Sequence, residues 1–223
     1  MTQLDGAVVL VLGADGGLGS RIAARLADAG ATVVSAGRAD GELKLDIRAK
    51  QAAERIVSAT LSAHGKLDGL VIAAGVVAFG PASEVTDATI DELFQTNTAA
   101  PIRFARASFP ALAESATAGR EPFLVTLSGI VAEQPVAGIA AYSASKAGLA
   151  AYVVAAAREY RRSGIRLLDA RPGHTGTSLS EHPIAGEAPQ LAGALDPDAV
   201  AERIVRAIAD GEKDLPSSAF VTA

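Results

Sequence analysis

Residues 7–30, AVVLVLGADGGLGSRIAARLADAG, decide the reading of the fold. Positions 7–12 are a continuous apolar run of strand length, 13–19 are rich in glycine, and RIAARLADAG has the apolar spacing of a helix. Strand, glycine turn and helix in that order make the first turn of a βαβ unit. Glycines at 13, 17 and 19 let backbone N–H groups approach a pyrophosphate, and the following helix N-terminus adds about half a positive charge to hold it. A glycine turn alone is common between strand and helix; its place in this unit gives the dinucleotide reading its weight.

Outward from this unit, strands and helices alternate along the chain, which predicts a doubly wound parallel sheet flanked by helices, an α/β fold in one domain over 1–223. Strands are expected near 8–13, 32–36, 43–46, 67–73, 123–128 and 165–170. Helices are expected near 17–29, 49–64, 87–116, 141–162 and 197–210. The 87–116 stretch is expected to break around Asn97, since Asn is a poor interior helix former and Pro101 removes a donor. Only seven residues separate Arg38 from Asp46, too few for a crossover helix, so the third strand must be short or reached by a tight loop. Segment 178–196 contains Pro and Gly and reads as a substrate loop, a candidate lid.

Composition narrows the classes. Hydrophobic residues make up 49% and charged residues 20%, with net charge -5 and a pI near 5.2, which gives no basic face for nucleic acid or membrane. There is no cysteine, so disulfides, thiolate metal sites and a cysteine nucleophile are excluded, and any redox chemistry needs a cofactor. The three histidines and the carboxylates show no metal-ligand spacing. MTQLDGAVVL has no basic leader with a long apolar run, and no segment approaches bilayer length, so a cytoplasmic location is expected.

Tyr142 and Lys146 in AAYSASKAG lie four residues apart, which on a helix is one face and about 5–6 Å. An ammonium beside a phenol favours the phenolate, so the pair has the equipment of a general acid/base. A YxxxK match by itself arises easily by chance. It stands, however, with G-x3-G-x-G at 13–19, with Asn97 in QTNT and with Arg171-Pro172-Gly173 after a strand. Together, in this order over nearly the whole chain, these motifs resemble the classical short-chain dehydrogenase/reductase family, with its Rossmann-like fold.

The resemblance implies an NAD(P)(H)-dependent oxidoreductase, either a carbonyl reductase or an alcohol dehydrogenase. Tyr142 is then the proton donor, Lys146 lowers its pKa and binds the nicotinamide ribose, Asn97 holds a water for proton relay, and Ser128 steadies the substrate oxygen. The family's serine usually stands thirteen residues before the tyrosine, a place held here by Gly129, with Ser128 at fourteen. Either the 130–141 loop is one residue longer and Ser128 serves, which its position at a strand end favours, or the serine is absent.

For the cofactor the implied contacts are Gly13, Asp15, Gly17, Leu18, Gly19, Asp46 at the adenine ring, Ala74, Gly75, Tyr142, Lys146, Pro172, Gly173, Thr175 and Thr177. Ala73 stands where the family has Asn. After the second strand the chain reads Ser35-Ala36-Gly37-Arg38, with no acid for a ribose 2′-hydroxyl and an arginine for a 2′-phosphate, so NADP(H) is favoured over NAD(H); Asp15 argues the other way. Phe79, Pro135, Val136, His174, Leu179 and Ile184 are expected to line a pocket for a small or apolar ketone, aldehyde or secondary alcohol. A homodimer or homotetramer through the alanine-rich 141–157 helix follows from the resemblance. The alternative is a non-catalytic NADP-binding sensor or structural protein, motivated by Ala73 and the displaced serine.

Overall fold

In the computed structural model, which describes residues 2–37, 42–44, 46–190 and 193–220, the apolar run forms β1 (Val8–Leu12), buried along its whole length. The strand is apolar on both sides because both its faces are covered. Val8, Leu10 and Leu12 belong to the apolar layer on one face, and Val9 and Val11 to the layer on the other. Around it stand β2 (Thr32–Gly37), β3 (Leu43–Lys44), β4 (Gly69–Ile72), β5 (Phe123–Leu127) and β6 (Arg166–Ala170), all parallel, in the order β3-β2-β1-β4-β5-β6. The chain reverses its direction of winding between β1 and β4, and the crevice at the carboxyl ends of those two strands is where such sheets hold ligands.

One face of the sheet is covered by α1 (Gly17–Asp28) and α6 (Pro197–Asp210), through Ile22, Leu26, Val200, Ile204 and Ile208. Arg21 and Arg25 bind Asp198 at 3.2 and 3.1 Å and tie the two helices together. The other face carries α2 (Ala52–His64), α4 (Ala100–Thr117) and α5 (Ala140–Tyr160), through Ile56, Phe104, Leu112, Leu149 and Val153. α3 (Asp87–Phe94), capped by the Thr86 hydroxyl at 3.2 Å from the Thr89 N–H, runs toward the crevice ahead of α4.

Three expectations are refined. The 87–116 stretch does not break at Asn97: Gln95–Ala99 forms a π-helical turn that carries the chain directly into α4, with Pro101 in the first turn of the new helix, where its missing N–H costs nothing. The third strand is two residues long, and residues 38–41 ahead of it lie outside the described residues. Segment 178–196 is strapped to the body instead of hanging as a lid: Ile184 N–H donates to Val77 O and Phe79 N–H to Ala185 O, both at 2.9 Å, and Leu195 N–H to His174 O at 2.8 Å. Past α6, Leu215 makes a single parallel bridge to Ala170 at the edge of β6. Among the described residues, no helix is long and apolar enough to cross a membrane.

Candidate active site

The glycine turn works by lacking side chains. Gly13 has φ +77°, and a Cβ there would sit 2.7 Å from the Ala74 nitrogen; at Gly19 it would lie 2.0 Å from the Gly13 carbonyl oxygen. At Gly17 it would reach within 2.6 Å of Thr177 Cβ, so turn, 73–74 segment and Thr177 close on one another across the crevice. The first turn of α1 begins here, with its N–H groups pointing at the space enclosed. This is a cradle for a phosphate-bearing chain.

Above the cradle lies a cleft of about 1250 Å³. That exceeds the roughly 300–1,000 Å³ of ordinary ligand pockets and leaves room for a long cofactor and a second molecule. The expected residues Gly13, Asp15, Gly17, Leu18, Gly19, Asp46, Ala74, Gly75, Ser128, Tyr142, Lys146, Pro172, Gly173, Thr175 and Thr177 all line it. Arg38 lies outside the described residues. Of the expected apolar wall, Phe79, Val136, His174, Leu179 and Ile184 face the cleft and Pro135 does not.

At the far end, Asp46 accepts from the Arg48 N–H at 2.9 Å and from its guanidinium at 2.8–3.0 Å. Arg48 also donates to Glu92 of α3 at 2.8 Å, and the Asp46 contact above all holds its guanidinium charged. Asp46 therefore closes the local turn; α2 starts only at Ala52, so Asp46 does not cap that helix. The sequence reading passed over Arg48 and Glu92, which line the cleft with Asp46. Glu92 is 44 residues away and offered no local signal.

At the catalytic end, α5 puts Tyr142 and Lys146 on one face, with Nζ 5.9 Å from the phenol centroid. Lys146 is 7% exposed and donates to Leu127 O at 2.8 Å, so the ammonium is anchored on the end of β5. Burial pushes Lys146 down to about 8, with Asp169 opposing the fall. Against the expectation that Lys146 lowers the tyrosine, burial pushes the Tyr142 phenol up to about 12, since desolvation penalises the phenolate.

Asn97 stands one layer behind the wall and is fully buried. Its Oδ1 accepts from Val76 N–H at 3.0 Å, and its Nδ2 donates to Val76 O at 2.9 Å and to Ser145 Oγ at 3.0 Å. Through these bonds the side chain acts as a clamp between α5 and the 73–76 segment. A Cβ on Gly75 would come within 3.2 Å of Asn97 Oδ1 and 3.3 Å of Lys146 Nζ, so glycine at 75 lets both approach. Ser128 lines the cleft, yet its hydroxyl donates at 2.5 Å to the buried carboxylate of Asp169, away from the role of a free donor. Asp169 was overlooked, although an acid inside the apolar strand LLDA was its signal.

Comparison with known proteins agrees with this geometry. The family model for short chain dehydrogenase matches residues 7–187, and the chain belongs to that family of oxidoreductases. It is 30% identical over 225 residues to ketoacyl reductase HetN of Nostoc sp., covering 93% of this chain and 77% of that protein. It is 34% identical over 189 residues to the cyclic-di-GMP-binding biofilm dispersal mediator protein of Escherichia coli, covering 81% and 78%. Among solved structures it superposes with a TM-score of 0.86 on 3-ketoacyl-(acyl-carrier-protein) reductase from Brucella melitensis complexed with NADH, at 24% identity over 98% of this chain and 100% of that one. A short chain dehydrogenase from Burkholderia cenocepacia in complex with NADP gives 0.83 at 22% identity, covering 97% and 90%.

Proposed function

We propose that this chain is an NADP(H)-dependent carbonyl reductase, or alcohol dehydrogenase in the reverse direction, acting on a small or apolar ketone, aldehyde or secondary alcohol. The observation that carries the reading is the placement of Tyr142 and Lys146 on one face of α5 beside the glycine cradle, in a single cleft. Gly13, Gly17, Gly19 and the α1 N-terminus would hold the pyrophosphate, Asp46 the adenine side, Lys146 the nicotinamide ribose, and Thr175 and Thr177 the carboxamide. The bound dihydronicotinamide supplies a hydride, two electrons and a proton, to the carbonyl carbon. Tyr142, protonated at neutral pH, gives its proton to the carbonyl oxygen as the C=O π bond becomes the alcohol, and the Lys146 ammonium stabilises the phenolate that remains. Asn97 keeps α5 in register with the cofactor segment, and Ser128 lies on the floor of the cleft near the reacting oxygen.

Phe79, Val136, Leu179 and Ile184 support an apolar substrate, whose burial against them is favourable. The 2′-phosphate preference rests on Arg38 in the sequence; the solved relatives carry NADH and NADP. A homo-oligomer is proposed through α5, where Val154 is 62% exposed, and size-exclusion chromatography with light scattering checks it.

The test is titration with NADPH and with NADH, followed by a screen of apolar carbonyls with the tighter dinucleotide. Tight NADPH and weak NADH binding is expected; binding of neither sinks the reading. The competing reading, a dinucleotide-binding sensor without turnover, draws on Ala73 and on the diverted Ser128 hydroxyl, and a relative described by what it binds keeps it in view. Tyr142→Phe separates the two: a sensor keeps its function, and a reductase keeps its cofactor but loses turnover.

A further inference from the structure

We propose that Asp169, a carboxylate that the proposed reaction leaves unused, is a positioning residue: it holds the Ser128 hydroxyl proton and thereby decides how many donors the substrate oxygen meets. The inference rests on the reductase reading for its consequence and on the bonds that Asp169 makes for its premise.

β5 and β6 run side by side with Thr126 opposite Asp169. Side chains alternate along a strand, so Ser128, two residues past Thr126, leaves β5 on the same side and reaches the same carboxylate. Thr126 Oγ1 donates to Asp169 Oδ1 at 2.7 Å and Ser128 Oγ donates to Oδ2 at 2.5 Å. Arg171, two residues on and just past the end of β6, adds its Nη1 to Oδ2 at 3.3 Å. Asp169 is 3% exposed and Ser128 fully buried, so water does not compete for these contacts.

A serine hydroxyl has one proton. While it goes to Asp169, only the oxygen lone pairs of Ser128 face the cleft, and lone pairs repel a carbonyl oxygen instead of polarising it. The groups facing Asp169 are two hydroxyls and the Arg171 guanidinium, with the Lys146 ammonium acting on it from α5. Arg171 is itself gripped by Glu133 in the loop leading to α5 and by Asp214 at 2.6 Å, while Ser217 Oγ donates to Glu133 at 2.5 Å. Burial pushes the Asp169 carboxyl up, and Ser128, Thr126 and Arg171 pull it back. The cluster thus offers donors on every side, the surroundings of an acceptor. Tyr142 is left as the proton donor to substrate, and Ser128 joins it only when Asp169 gives up its hold.

The first arm of the test reads the proton directly. In the wild-type protein, NMR should show a Ser128 hydroxyl proton slow to exchange with water, retained by Ser128→Thr and shifted or lost in Asp169→Asn. A freely exchanging Ser128 hydroxyl overturns the proposal, whether or not a substrate has been found. The second arm reads its consequence as a double-mutant cycle on kcat for the carbonyl that the wild type reduces best. Leucine at 169 removes both acceptor oxygens and frees the Ser128 proton, so Ser128→Ala should cost at least about tenfold more in the Asp169→Leu background than in the wild type. Equal costs in both backgrounds overturn the proposal. A wild type that binds no dinucleotide and reduces no carbonyl sinks the reductase reading instead, and leaves the hydroxyl result standing.

Discussion

The turn after β1 and the paired ends of β5 and β6 face the same cleft but are built from opposite materials. The turn is backbone: Gly13, Gly17 and Gly19 matter because a Cβ at any of them would collide with a neighbour. The strand ends are side chains: Thr126 and Ser128 reach Asp169 across 43 and 41 residues, and Arg171 joins it from two residues on. The first region binds by shape, and its requirements are local. The second tunes chemistry by charge and proton direction, and its requirements are spread over the chain. The two therefore fail differently when altered.

The largest effect is expected on α5, which leans on the strand ends through the Lys146 bond to Leu127. Tyr142→Phe removes the proton donor, and general acid catalysis is worth about 10²–10⁴-fold, so kcat should fall by about a thousandfold while NADPH binding by fluorescence stays close to wild type. Loss of binding in this variant would make Tyr142 a structural support and erase the contrast between the regions. The turn should answer in the opposite sense. Gly19→Ala drives a methyl toward the Gly13 carbonyl, 2.0 Å from where it would sit, and overpacking of this kind costs roughly 1–3 kcal/mol. Dinucleotide affinity should drop by about 5–160-fold at that cost, with stability lowered in parallel in a thermal melt. A variant that binds normally would show that the turn shifts freely and is no cradle.

How each region could be read from sequence follows from the same contrast. The glycine turn, β1 and α1 are contiguous, so spacing alone located them, and Tyr142 with Lys146 followed from a single helical turn. Asn97 was found as a residue, but its clamp on Val76 and Ser145 could not be, because those partners lie 21 and 48 residues away. The π-helical turn at Gln95–Ala99 was hidden too: Pro101 signalled an interruption without saying that the chain would absorb it by widening one turn. Arg48 and Glu92, joined across 44 residues, and Asp169 with Ser128, joined across 41, were invisible for the same reason. The raised Tyr142 phenol belongs with these, since its depth of burial is a property of the assembled walls.

A smaller effect should appear in the pH dependence of kcat/KM for reduction, which reports groups of the free enzyme. Tyr142, pushed up to about 12, keeps its proton throughout the neutral range. Lys146, pushed down to about 8, loses its proton above that pH, and the phenolate left after proton donation then loses its counter-charge. The profile should be level below pH 8 and fall by up to tenfold for each pH unit above it. A limb first appearing near the ordinary lysine value would mean that burial does not perturb Lys146.

The smallest effect concerns stability and bears on the cost of the strand-end chemistry. Between the unfolded value of 10.5 and the folded value of about 8, the unfolded chain holds a proton on Lys146 that the folded chain has released, so stability rises with pH across that window. Below pH 8 the folded state carries the full cost of a buried ammonium, at most about 3 kcal/mol for such a shift. Lys146→Met removes that cost but leaves the Leu127 carbonyl without its donor, which takes back about 1–3 kcal/mol. The variant should thus gain about 1 kcal/mol at pH 7 by denaturant unfolding, a gain that turns into a loss of about 1–3 kcal/mol as pH rises from 8 toward 10.5, where only the missing Leu127 contact counts. A gain that is independent of pH would place its origin in packing and not in the charge, and a loss at pH 7 that persists at pH 10 would show that the ammonium supports the fold instead of straining it. The expected pattern, stability surrendered at α5 to keep a charge beside Tyr142, has no counterpart in the glycine turn, where fold and binding ask for the same residue.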